Sequence, residues 1–155
     1  MKLLRYFDTD DGSLPEVEVR YSNPDKVSQA FEFLFASNAR NVTAGGGYLW
    51  IKASQKEKPF TGSSDASLVV CESAEPFHVV LAGITIANCT LPDLGVLVMP
   101  SSLTIDYRMG SAWGTSEVNA LLILLKKLCG LGGTLVAPWW GTECEHEFAE
   151  ALRRA

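Results

Sequence analysis

Residues 78–108 read HVVLAGITIANCTLPDLGVLVMPSSLTIDYR, and this stretch decides the fold. The runs at 78–86 and 95–99 are apolar without alternation, the pattern of central strands covered on both faces. Leu103, Ile105 and Tyr107 then alternate with Thr104, Asp106 and Arg108, so this strand has one buried and one polar face. The links between these runs are too short for helical crossovers, which favours antiparallel or mixed pairing. The expectation is a single α+β domain over residues 1–155, with a mainly antiparallel or mixed sheet packed with about three helices.

Working outward, Leu68–Cys71 adds another apolar run with the look of a strand. Residues 2–8 and 14–21 flank an Asp-Asp-Gly-Ser turn and predict a hairpin, its second arm alternating Glu16, Glu18 and Arg20 with Val17, Val19 and Tyr21. Asn23-Pro24-Asp25 opens a helix over about 24–37, on which Val27, Ala30, Phe31 and Leu34 recur at helical spacing. Gly45-Gly46-Gly47 breaks the chain before a strand at 48–52, where Trp50 is expected in the core. The polar stretch 54–67 reads as a long mobile loop. A helix containing 118–128 starts after Thr115-Ser116-Glu117 and ends at Lys126, Lys127 and Gly130. It is apolar almost all round, so it belongs in the core or, alternatively, in a homodimer contact. A short strand at 134–137 leads to a last helix opened by Thr142-Glu143-Cys144-Glu145, with Cys144, Phe148, Ala151 and Leu152 as its inward stripe.

Composition limits the function. The chain has 155 residues, 47% of them hydrophobic and 20% charged, enough for a well-filled core. Its net charge of -5 speaks against nucleic acid, which is held by clustered Lys and Arg. No apolar run has the length of a membrane span. The start MKLLRYFDTDD turns acidic too early for a signal peptide, so the expected location is cytoplasmic. The four cysteines lack paired metal-ligand or C-x-x-C spacing and read as reduced, buried small hydrophobes.

No motif carries catalysis. The glycine clusters at 45–47 and 130–133 lack the strand-then-helix context of a phosphate loop and read as turn and helix cap. His78 opens an apolar strand and reads as structural. Glu143-x-x-His146 is half of a di-metal motif, but its partners are missing and it lies opposite the inward stripe. The expectation is no catalytic residue, no metal site and no cofactor. Trp113, Trp139 and Trp140 remain, in two loops that each join a strand to a helix. Aromatic anchors flanked by charge are what binding hot spots use. The candidate partner surface is therefore Asp106, Arg108, Trp113, Trp139 and Trp140 beside Glu143, Glu147 and Glu150. The alternative is a small-molecule-binding protein or enzyme with a pocket between the two tryptophan loops.

The succession 91–99, 103–110, a tryptophan loop and then a helix resembles the small immunity proteins of bacterial toxin systems. That resemblance covers about residues 91–155 and implies a compact acidic protein that neutralises a toxin by binding it, with a basic toxin domain as partner. It transfers no binding residues.

Overall fold

The computed structural model describes residues 1–137 and 141–155. Among these residues, ten strands and four α-helices follow one another in an α+β arrangement. A short 3-10 helix at Lys2–Tyr6 leads to β1 (Glu16–Tyr21) and α1 (Asp25–Ala36). Next come β2 (Arg40–Asn41), the hairpin β3 (Tyr48–Ile51) and β4 (Lys56–Pro59), and α2 (Ala66–Val70). The strands β5 (Phe77–Ala82), β6 (Thr85–Ile86), β7 (Cys89–Thr90), β8 (Leu94–Val98) and β9 (Ser102–Tyr107) follow, and α3 (Thr115–Cys129), β10 (Gly133–Val136) and α4 (Gly141–Arg154) close the chain.

Six strands form the main sheet in the order β10-β1-β9-β8-β5-β2, with every pairing antiparallel. Side chains alternate across a strand, and the register puts Val17, Val19 and Tyr21 in line with Leu103 and Ile105 of β9 and, through β8, with Phe77 and Val79 of β5. These inward residues are 0–4% exposed. α1 and α3 pack on this face: Phe31 meets Phe77 edge-on with ring centroids 5.7 Å apart, and α3 touches β1 and β10. α4 adds Phe148, whose ring lies 6.0 Å from Phe7, itself stacked at 4.4 Å on Tyr107. Each large apolar side chain buried in this way stabilises the fold by about 1.5–3 kcal/mol.

Several expectations need correction. Residues 2–6 are not a hairpin arm; Leu3 and Tyr6, three apart, turn one helical face inward. The partners of β1 come instead from β9 and β10, far along the chain. Residues 68–71 are not a strand, since Ala66 and Val69 bury one side of a short helix. The stretch 54–67 is tied down: β4 pairs with β3, and buried Asp65 accepts bonds from Lys58 Nζ at 2.8 Å and from the Thr61 backbone N–H at 2.8 Å. The second face of the central strands is covered unevenly: Ala82, Ser102 and Thr104 are buried there. His78 is exposed and Val80 and Leu97 are half-buried on that face. Of the four cysteines only Cys144 is buried, while Cys71 is exposed.

The all-round apolar α3 is consumed inside the chain, with Val118, Ala120, Leu121, Leu122, Leu124, Leu125 and Leu128 all buried. Glu117 reaches back to accept the backbone N–H of Gly114 at 2.9 Å, so the N-cap is Gly114 and Thr115 is the first helical residue. The three glycines 45–47 all have positive φ, so they are a turn that only glycine adopts at no steric cost. Among the described residues no helix is long and apolar enough to cross a membrane.

Candidate functional site

Asp106 is the sequence-derived site residue with the most specific surroundings. It points to the open face of the sheet, and its Oδ2 lies 2.6 Å from Nε2 of His78. The two residues sit on β9 and β5, with β8 between them. The carboxylate crosses β8 at Gly95, which is paired directly with Asp106. A Cβ at Gly95 would overlap the Asp106 carboxylate, so glycine is what lets the bridge form. The hydrogen bond and charge of Asp106 raise the His78 pKa above 6.5, against the opposing effect of burial. His78 reads as structural from its sequence neighbours, and the pair is not legible there, because strand register brings the two residues together.

Arg108 is exposed at the end of β9 and makes no ion pair among the described residues. Trp113 is 2% exposed. Its ring lies against Phe7 and Tyr107, with centroids 4.8 and 5.4 Å away, and its Nε1 donates to the Arg108 carbonyl at 2.9 Å. It caps the core, and its indole N–H is satisfied internally. Trp139 and Trp140 lie outside the described residues.

Three of the glutamates of α4 have local ion-pair partners. Arg5 Nη2 contacts Glu147 at 2.6 Å and Glu143 at 3.3 Å, and Arg154 pairs with Glu150 at 2.5 Å. Phe148 of α4 packs at a tilt on Phe7, which stacks on the inward-facing Tyr107, whereas Asp106 faces outward. The sheet therefore separates Asp106 from Glu143, Glu147 and Glu150. His146 is exposed, and among the described residues no group of three or more His, Cys, Asp or Glu side chains could hold a metal ion.

Among the described residues, the exposed large aromatics are elsewhere, on the β3–β4 hairpin. Tyr48 is 60% and Trp50 42% exposed, whereas Leu49 between them is buried. Two residues apart on one face of a strand, they stand about 7 Å apart along it. Pro59 is the cross-strand partner of Tyr48, and Glu57 that of Trp50. The expected core position of Trp50 is thus wrong. With Leu49 inward, the period of two sends its neighbours outward, a signal hidden because Tyr-Leu-Trp-Ile is apolar on both faces.

No family model, no curated protein and no solved structure matches this chain.

Proposed function

We propose that this chain is a non-catalytic protein-binding module of the immunity type, which acts in a bacterial cytoplasm by covering a basic toxin domain. The observation that carries the reading is the exposed Tyr48–Trp50 pair. Tyr and Trp are the residue types that dominate binding energy when a partner buries them. Large exposed apolar patches on otherwise well-packed proteins mark interaction sites. The net charge of -5 supports a basic partner, because long-range attraction speeds encounter even when the charges lie outside the contact. The resemblance to immunity proteins supplies the toxin as partner class.

The test starts from the toxin-like protein recovered with the tagged chain from its native strain. Its toxic activity should fall as the chain is added. Trp50→Ala should raise the dissociation rate and weaken binding by about 2 kcal/mol or more, with Tyr48→Ala acting in the same direction. Circular dichroism would check that both variants fold. Undiminished binding by the folded double variant would place the docking surface elsewhere, and a recovered partner that keeps full activity when saturated would end the neutralising reading.

A further inference from the structure

The outer face of the β3–β4 hairpin carries charge as well as aromatic surface. Residues directly opposite one another in an antiparallel pair share a face, with Cβ atoms about 5 Å apart. Trp50 is opposite Glu57 of β4. On its other side β3 meets the segment that leads into β5. There the Glu75 N–H donates to the Trp50 carbonyl at 2.9 Å and the Lys52 N–H to the Ser73 carbonyl at 3.0 Å, around an Ile51–Ala74 bridge. Ala74 is 1% exposed and faces inward with Ile51, which turns Glu75 outward beside Trp50. Trp50 thus stands in the middle of a row of three strands, with Glu57 on one side and Glu75 on the other.

Both glutamates are exposed, and neither forms an ion pair among the described residues. The lysines of the hairpin do not serve them. Lys58 is opposite the inward Leu49 and is spent on buried Asp65 at 2.8 Å, and Lys56 is opposite Ile51, on the face away from Trp50. Lys52, where the hairpin turns, follows Trp50 by two residues on the outer side, so two carboxylates face one ammonium there. An indole face attracts a cation, and a carboxylate on each side strengthens that attraction. The flat guanidinium suits this row better than an ammonium, because it stacks on a ring and still directs N–H groups sideways to carboxylates.

We propose that Trp50, Glu57 and Glu75 hold an arginine side chain of the docking partner, its guanidinium on the indole between the two carboxylates. Its aliphatic stem covers Tyr48 and Pro59, the next pair along the hairpin. The inference rests on the docking reading for its partner and adds the residue that a basic partner supplies.

N-acetylarginine amide is the probe, titrated into the isolated chain while the indole N–H resonance of Trp50, assigned with Trp50→Phe, is followed by NMR. A saturable shift is expected at Trp50. The neutral isostere N-acetylcitrulline amide should bind about tenfold more weakly or less, since it loses the stacked cation and both ion pairs. Glu57→Gln and Glu75→Gln alter exposed carboxylates and keep the fold, and each should weaken binding about two- to fivefold, the range of an exposed ion pair, with a larger loss when combined. The proposal is overturned if the arginine probe gives no saturable shift at Trp50, if citrulline matches it, or if the double glutamine variant binds as tightly as the unaltered chain. No toxin enters this experiment, so it stands apart from the docking test. Loss of toxin binding in Trp50→Ala together with a silent arginine probe would keep the docking surface and remove the arginine.

Discussion

Gly95 shows how one residue fixes the chemistry of a surface. Glycine inside a strand costs roughly 0.5–1 kcal/mol relative to alanine, so replacing it would ordinarily stabilise a sheet. Here the added Cβ meets the Asp106 carboxylate. Gly95→Ala should therefore destabilise by about 1–3 kcal/mol in urea unfolding, the range for overpacking. In an Asp106→Ala background the same change should turn neutral or stabilising, and equal costs in both backgrounds would show that the carboxylate is not the obstacle. The pair also predicts a pH dependence. The folded-state pKa of His78 is raised above 6.5 by Asp106. A raised histidine pKa means that the folded state holds the proton more tightly than the unfolded one. The contribution is thus fully present below pH about 6.5 and is lost as pH rises through the folded-state pKa of His78. With His78 44% exposed, the size is reduced by solvent screening. Stability measured from pH 5 to 9, values that bracket the histidine range by roughly two units, should fall across this window, and Asp106→Asn should flatten the fall. An unchanged slope in Asp106→Asn would assign the dependence to another group.

At the level of elements, α3 is the piece whose sequence and structure agree most closely, because its start, its stop and its apolar surround are all local. Its residues pack toward β1, β10, α4 and the first helical turn, so few directions are left for water. Leu125, fully buried, and Leu122, at 3% exposure, should each cost about 2–5 kcal/mol when cut to alanine. Chemical denaturation of the monomer checks this. Should these changes instead dissociate a dimer into folded monomers of undiminished stability, the helix would be serving a subunit contact. The short elements behaved differently. Leu68–Cys71 offers four apolar residues, too few to separate helix from strand, and the packing of Ala66 and Val69 selected the helix.

For the whole molecule, the position of β1 is the controlling fact. It is held between β9 and β10, so the first strand in the chain completes its pairing only when the last third of the chain is in place. Tyr21 of β1 reinforces this by donating its hydroxyl to the Leu128 carbonyl of α3 at 2.8 Å. The amino-terminal and carboxy-terminal parts therefore cannot unfold separately without breaking the pairings of β1 with β9 and β10. Thermal or urea unfolding followed by far-ultraviolet circular dichroism and by tryptophan fluorescence should give coincident single transitions. Two separated transitions would mean that the β3–β4 hairpin or α4 opens as an independent unit.

The sequence by itself determined what depends on neighbours along the chain. It set the α+β class, the bounds of α1 and α3 to within a few residues, the glycine turn at 45–47 and the inward stripe of β1. Helical period, strand alternation, caps and steric freedom are properties of a few consecutive residues, and they are written in the chain. Only the tertiary structure decided which strands became neighbours, and the candidate sites follow from that. His78 meets Asp106 because β8 places a glycine between them. Trp113 is buried because Phe7 and Tyr107 cover it, and Trp50 is exposed because Leu49 took the inward position. Arg5 balances Glu143 and Glu147 from the opposite end of the sequence. Each of these is a contact between residues distant in the chain, and its outcome is set by competition for one shared core, which no local pattern encodes.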